Sequence, residues 1–517
     1  DWQRQAFDVI DEAHRAEAIV YIGHVIDVLD AGKSAHSDHN LAQVLAPALA
    51  GREVTFLAEA TPEEWARVER RNLGFAQSWS VIRVEEPRPE VSQKILAKVA
   101  ESIGREKEVT VEEGVVGAVV ALTRRFWPYG ALVGNAAAFL RRLVGARVHA
   151  RATAVTGGDV IEQFGAESGI PRVLLRDDIA LDPEAVRAFL KARVMGQEAA
   201  VARLAEVVSV IKAGLADPKK PVATLFFAGP TGVGKTELSK ALAEFVFGSR
   251  ERLVRLDMGE YAGPDALERL LGEAGAPGHL TASVRRQPFC VVLFDEVEKA
   301  HPAVFDALLG VLGEGRLTDS DGKFTDFRNA VIIMTSNLGA DTLKARVGFG
   351  QGGEAVKGVA VRAHYVGEAE RFFRPELFNR IDDFIVFDAL GADVLRSIVV
   401  REVDKIAARD GLWRNEVALE VGEDAMELLA ARGFDPRYGA RPLKRTLERE
   451  LVVPIGDRLA DHPERGATKM SVSVEQGALT LRATNVPGRD ETVSKAIFQA
   501  LEATRLAARE MGVEHRA

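Results

Sequence analysis

An apolar run, Val222-Ala223-Thr224-Leu225-Phe226-Phe227-Ala228, leads directly into Gly229-Pro230-Thr231-Gly232-Val233-Gly234-Lys235-Thr236 and then into a helical stretch, Glu237 to Phe247. No other feature limits the chain so tightly. In the pattern G-x-x-x-x-G-K-T the glycines let backbone N–H groups close around phosphates. Lys235 reaches the terminal phosphates, and the Thr236 hydroxyl can ligate Mg²⁺. The positive end of the following helix adds to the same anion site. Gly-rich turns with this spacing arise by chance in long chains. The buried strand before the turn and the helix after it distinguish a phosphate loop from such an accident.

The rest of the composition sets outer bounds. A length of 517 residues leaves room for roughly three or four domains. The 47% hydrophobic and 28% charged content is that of an ordinary globular protein. No apolar run approaches the roughly 18 residues that span a bilayer, and no secretory signal is visible, so no membrane partner is expected. A single cysteine, Cys290, excludes an internal disulfide framework and fits a reducing, cytoplasmic compartment. The net charge is −9 with Lys and Arg dispersed, which argues against nucleic acid as the main partner. The chain opens at Asp1, in what reads as the middle of a domain, and a preceding N-terminal part is expected.

Three blocks follow one another. Residues 1 to about 165 read as helix (Gln3 to Arg15), strand (Ala18 to Ile22), helix (Asn40 to Leu49), strand (Glu53 to Ala58) and several helices. A connecting stretch carries Gly157-Gly158, Gly165, Gly169 and Pro171, and Asp182-Pro183-Glu184 is a helix start with a capping Asp and Pro in the first turn. From about 184 to 388, short β-branched strands alternate with helices, the pattern of an α/β parallel sheet with crossover helices. The expected strands are Val222–Ala228, Leu253–Asp257, Cys290–Asp295, Ala330–Thr335 and Phe384–Phe387. Residues 391 to about 482 give helices and then a hairpin, Lys469–Val474 and Ala478–Arg482, turned at Gln476-Gly477. After Pro487-Gly488 a last helix carries Val493, Ile497 and Leu501 on one face, to dock on its own domain or on an outside partner.

The run Val291-Val292-Leu293-Phe294-Asp295-Glu296 puts two carboxylates at the C-terminal end of a buried strand, the sheet edge where open α/β folds bind ligands. Asp295 suits the Mg²⁺ shell, directly or through water. Glu296 suits a base or water-positioner for attack on a γ-phosphate. Acid pairs at strand ends are often solvated turns; the upstream loop gives this one its meaning. Val331-Ile332-Ile333-Met334-Thr335 delivers Thr335-Ser336-Asn337 to the same edge, where Asn337 can hold the attacking water.

The stretches GPTGVGKTELSKALAE, VVLFDEVEKAHPAVFDALLGVLGEGRLTD, DFRNAVIIMTSNLGA, FRPELFNRID and YGARPLKR together resemble the second ATPase module of the Clp family of AAA+ ATPases, over about residues 190 to 482. The resemblance implies ATP and Mg²⁺ as cofactors. Val194-Met195-Gly196-Gln197 correspond to the adenine-contacting segment, Asn337 to sensor 1, and Arg441 to sensor 2. Arg380 corresponds to an arginine finger acting on nucleotide held by a neighbouring subunit. An active site completed between subunits implies a ring, typically a hexamer, acting as a chaperone or unfoldase on protein substrates. The implied layout is a partial first AAA+ large domain over 1–90, its helical small domain over 91–165, a linker over 166–183, the second, active large domain over 184–390, its small domain over 391–482 and a helical extension over 483–517.

The N-terminal block resembles the family's first module entered partway through, with its chemistry lost. Ala18-Ile19-Val20-Tyr21-Ile22 is followed by Gly23-His24 where two acids are expected. Neither can place Mg²⁺ or orient water. His24 has no second His or Cys at convincing metal-ligand spacing. Gln77-Ser78 stand where the family carries two arginines, and Val133-Gly134-Asn135 replace a Pro-acid-Lys stretch. This module is expected to serve assembly and not to hydrolyse ATP. Between Phe139–Leu143 and Ser168–Pro171 there is no room for the long coiled-coil insertion of the family's disaggregating branch.

Two further segments depart from or extend the pattern. The loop that lines the pore in family unfoldases reads Leu270-Leu271-Gly272-Glu273-Ala274-Gly275-Ala276-Pro277-Gly278-His279-Leu280-Thr281, several residues short and without Tyr; His279 is its nearest bulky group. An aromatic ring grips any passing side chain, and a Gly/Ala/Pro loop provides little. Threading is then weak, done elsewhere, or absent, and the alternative is an ATP-gated scaffold that assembles with partners. Arg346-Val347-Gly348-Phe349 lies in a Gly-rich stretch; it resembles the tripeptide loop that docks some members, here Val347 to Phe349, on a barrel peptidase, or it is an ordinary surface loop.

Overall fold

The computed structural model describes residues 2–33, 39–51, 54–127, 131–176, 178–215, 217, 219–273, 276–320, 323–340, 354–435, 439–461 and 468–485. The Val347–Phe349 loop, Tyr438 and the Val493/Ile497/Leu501 stripe lie outside them.

A five-stranded parallel sheet organises the larger half of the chain. Its strands are β1 (Ala223–Ala228), β2 (Leu253–Asp257), β3 (Val291–Asp295), β4 (Val331–Ser336) and β5 (Asp383–Val386), in the order β5-β1-β4-β3-β2. Every residue of β1, β3 and β4 is buried. A parallel sheet is covered on both faces, so its central strands are continuous apolar runs. Successive side chains alternate between faces. Leu225, Phe227, Leu293 and Ile333 enter one core beneath the helices Glu198–Ala213 and Lys235–Phe247. Phe226, Phe294, Ile332 and Met334 enter a second core beneath His279–Arg286 and Pro302–Glu314. Cys290, buried just before β3, has its thiol pushed up to about 12 by burial, so it stays protonated.

The first core continues into a helical bundle made of Pro89–Lys107, Val115–Phe126, Leu132–His149 and Gly157–Ser168. Phe126 of the bundle meets Phe289 of the sheet layer with ring centroids 5.1 Å apart. Only residues 150–156, with the short strand Ala154–Val155, separate the last two helices.

Near the N-terminus two strands, Ile19–Ile22 and Thr55–Ala58, pair in parallel over a separate small core containing Val25, Leu45, Val68 and Phe75. One face of this pair stays open, with Ile19, Tyr21 and Leu57 all more than half exposed.

The C-terminal part has its own core under Ala392–Ala407 and Glu423–Gly433. The expected hairpin is present and longer at both ends, Thr468–Glu475 with Ala478–Asn485. Gln476 and Gly477 both have positive φ (50° and 78°), as the tight two-residue turn matching strand twist requires. The sequence reading missed a third strand, Val417–Val421, which pairs in parallel with Thr468–Glu475. Its partner lies far along the chain, so no local turn signal announces it.

Candidate functional site

The C-terminal ends of β1, β3 and β4 converge on a cleft of about 450 Å³. A larger cavity, about 820 Å³, lies between the helical bundle and the sheet layer, lined by Trp127, Phe247 and Phe289 among others. It contains neither the phosphate loop nor the acid pair. Convergent chemistry, not volume, marks the smaller cleft as the site.

β1 ends at Gly229, whose φ of 147° turns the chain sharply and whose missing side chain lets it lie against Phe387. Thr231 through Thr236 line the cleft, and helix Lys235–Phe247 starts there. Gly229 and Pro230 contribute backbone instead: their carbonyls accept from Lys235 Nζ at 2.6 and 2.9 Å. The third Lys235 proton goes to Asn337 Oδ1 at 2.7 Å. Lys235 is only 8% exposed. Burial pushes its ammonium down to about 8, opposed by the carboxylates of Glu298, Asp295 and Glu296, while the Arg441 charge works with burial.

Asp295, 5% exposed, ends β3. Its Oδ1 accepts from Thr335 Oγ1 at 2.5 Å. Its Oδ2 accepts from Arg255 through Nε at 2.9 Å and Nη2 at 2.7 Å. Glu296 follows with φ at 59°, a left-handed backbone that costs a non-glycine residue about 1–3 kcal/mol. This conformation terminates the strand, and the Glu296 N–H donates to Thr335 Oγ1 at 3.1 Å. Its half-buried carboxylate pairs with Lys299. Thr335 therefore holds both acids from the neighbouring strand. Asn337 is fixed from both ends, its own N–H donating to Glu298 Oε1 at 3.2 Å.

The cleft closes from two other directions. Val194 and Met195 line it, with buried Val194 packed beside Gly234. Gln197, at the end of the same segment, is buried, and its side chain is a staple. It donates to Val233 O at 3.3 Å and Asp388 O at 3.0 Å and accepts from Asp388 N–H at 3.0 Å. From the C-terminal part, the Ala440 N–H reaches Gly232 O at 3.4 Å and Arg441 lines the cleft. Gly439 has φ at 59°, and a Cβ there would lie 2.5 Å from Thr231 O, so the two parts meet backbone to backbone. Arg380 is exposed and not among the described lining residues; it lies across Gly313 of helix Pro302–Glu314, where a Cβ would come within 2.8 Å of its Nη1.

Comparison with known proteins decides the family. The AAA domain model (Cdc48 subfamily) matches residues 220–384, and the model of the C-terminal D2-small domain of ClpB matches 390–472. Chaperone protein ClpB 1 of Thermosynechococcus vestitus is 44% identical over 313 residues, 58% of this chain and 34% of the relative. The ATP-dependent Clp protease ATP-binding subunit ClpC of Staphylococcus saprophyticus is 32% identical over 531 residues, 89% of this chain and 64% of the relative. A closed-state structure of Hsp104 with ATPγS and FITC casein superposes with a TM-score of 0.71 at 27% identity, over 93% of this chain and 83% of that one. The chain belongs to the Clp family of AAA+ ATPases. It spans between a third and two thirds of the length of these Clp relatives.

Seen as a Clp module, the cleft contains more basic groups than the sequence motifs announced. Arg193, Lys240, Arg255, Arg401, Lys405 and Lys444 all line it. Arg193 is held by Glu244 at 2.6 Å and stacks on Phe189 at 3.4 Å. Arg401 donates to the Ala192 and Arg193 carbonyls at 2.9 and 2.8 Å. Lys240 and Lys444 lie within the quoted GPTGVGKTELSKALAE and YGARPLKR stretches, whereas Arg193, Arg255, Arg401 and Lys405 sit on segments remote in sequence from the Gly-rich loop, where spacing to the loop could not reveal them. Arg255 carried one usable signal: it lies two residues before Asp257 on a strand expected to reach the same edge.

The donor set suits Mg²⁺. Among the described residues no three His, Cys, Asp or Glu side chains form a metal cage. The Thr236 hydroxyl and the buried Asp295 carboxylate line the cleft, and a cationic guanidinium pairs with the latter. Mg²⁺ takes one or two such ligands and completes its octahedron with phosphate oxygens and water.

The other positions singled out in the sequence lie away from the cleft or on its surroundings. Strand Ile19–Ile22 ends at Gly23-His24, and His24 Nδ1 lies 3.8 Å from Glu64 Oε2 on the surface. Gln77 closes helix Leu73–Gln77, and Ser78 Oγ donates to Gly74 O at 3.2 Å. Asn135 lies within helix Leu132–His149. The shortened loop forms a small hairpin, Gly272–Glu273 against Ala276–Pro277. The His279 ring is 3.0 Å from the Tyr261 hydroxyl, so it is pinned to the body of the module. Among the described residues no helix is long and apolar enough to cross a membrane.

Proposed function

We propose that this chain binds ATP with Mg²⁺ in the β1–β3–β4 cleft, hydrolyses it, and uses the cycle to remodel or unfold protein substrates as part of a cytoplasmic hexameric ring. The observation that carries the reading is the convergence of Lys235, Thr236, Asp295, Glu296, Asn337 and Arg441 on one cleft, while Arg380 is exposed and not among its described lining residues. Val194 and Met195 form the adenine side. The backbone N–H groups of Thr231–Thr236 and the Lys235 ammonium bind the phosphates. Thr236 and Asp295 would hold Mg²⁺, which would supply charge neutralisation to the phosphates. Glu296 accepts the proton of the attacking water, and Asn337 aligns that water while its tie to Lys235 couples it to the phosphates. Arg441 joins the C-terminal part to the nucleotide. Arg380, exposed beside Gly313 of helix Pro302–Glu314, reaches a neighbouring subunit's nucleotide.

Residues 184–390 with 391–482 form the working unit in this reading. The first module, with Gly23-His24 at its strand end and Gln77-Ser78 in place of arginines, contributes to assembly. The casein in the Hsp104 structure supports a protein substrate for this chain as well. The short hairpin and pinned His279 favour a second reading, an ATP-gated scaffold that does not thread its partner. Loss of fluorescence from a tagged, stably folded fluorescent protein, measured with and without ATP, separates the two. ATP-dependent loss is expected. ATP turnover without any loss would leave the scaffold.

A further inference from the structure

Asp295 is the carboxylate that must meet the metal, and it is not free to do so as it stands. Its Oδ2 accepts from both Nε and Nη2 of Arg255, at 2.9 and 2.7 Å, which uses both lone-pair directions of that oxygen. Its Oδ1 is taken by Thr335. The guanidinium and a divalent cation at the same carboxylate repel one another. Arg255 has somewhere else to go. It is nearly half exposed, and its Nη2 lies 3.9 Å from Asp257 Oδ2. Asp257 is two residues along β2, on the same face, and stands directly opposite Asp295 in the β2–β3 register. The Asp257 side chain is 44% exposed, and its Oδ1 accepts from the Gly259 N–H at 3.0 Å.

We propose that Arg255 is a positioning residue that competes with Mg²⁺ for Asp295, swinging from Asp295 to Asp257 when the metal and nucleotide bind. The inference rests on the reading of this cleft as an ATP and Mg²⁺ site and assigns it a built-in threshold for the metal. Arg255 neutralises Asp295 while the metal is away, which keeps an unpaired buried carboxylate from repelling phosphates.

The test is binding of a fluorescent adenine nucleotide, titrated with Mg²⁺ and separately in EDTA, to the wild-type chain and to Arg255→Met. The Met keeps the apolar stem and removes the charge. The Mg²⁺ concentration for half-saturation is expected to fall about tenfold, the size of one charge-assisted pair. In EDTA the same variant is expected to bind nucleotide more weakly than wild type. A merely structural role would move both affinities the same way. An unchanged or raised Mg²⁺ requirement overturns the proposal. If Arg255→Met lowers Tm sharply, Asp257→Asn carries the test: losing the second seat raises the Mg²⁺ requirement, and an unchanged requirement overturns the proposal. A wild-type chain that binds no nucleotide overturns the functional reading and this inference with it, whereas binding with unaltered Mg²⁺ dependence in the variants overturns this inference alone.

Discussion

Glu296→Gln is expected to cut ATP turnover by about 10²- to 10⁴-fold, the contribution of a positioned general base, with little change in nucleotide affinity. The substitution keeps the size of the side chain and removes its capacity to take a proton. Glu296 is suited to that task because its environment is half-buried and its backbone is held in the left-handed region by the Thr335 bond. Lys299 pairs with the carboxylate, and the ammonium's own pKa is raised chiefly by that hydrogen bond. Initial-rate hydrolysis and equilibrium nucleotide binding on the same preparation check the prediction. The variant also probes the rest of the chain. Substantial residual turnover would mean a second competent site and would sink the assignment of hydrolysis to this cleft alone.

Arg380→Ala is expected to lower turnover by about 10³-fold or more, the range for a trans-acting arginine. Arg380 is exposed and rests over Gly313, so truncation removes no buried packing and the fold should be retained. The decisive readout is mixing. Arg380→Ala subunits keep an intact Glu296, and Glu296→Gln subunits keep an intact Arg380. If each cleft borrows its neighbour's arginine, co-assembled subunits recover part of the activity that neither has alone. No recovery, with co-assembly verified, would place Arg380 outside the reaction.

The central sheet was legible because β1, β3 and β4 are buried on both faces, which makes each a continuous apolar run ending in polar residues at the ligand edge. The loop, acids and Asn337 were legible because their chemistry is contiguous in sequence. What stayed hidden depends on order across the sheet. Arg255 reaches Asp295 only because β2 lies beside β3, and Thr335 clasps both acids only because β4 lies on the other side. Val417–Val421 was hidden for the same reason, its partner strand coming after two intervening helical segments. The role of the Gln197 amide was hidden likewise: tertiary packing uses it to tie its own segment to Val233 and Asp388, far away in sequence.

The central claim is that one cleft, built on Lys235, is where this chain holds ATP. Equilibrium ATP binding to the Glu296→Gln chain, with hydrolysis suppressed, tests it most directly when paired with the Lys235→Ala, Glu296→Gln double variant. About one nucleotide per chain, with affinity lost by about a hundredfold or more in the double variant, is the predicted result. Undiminished binding after removal of Lys235 would contradict it.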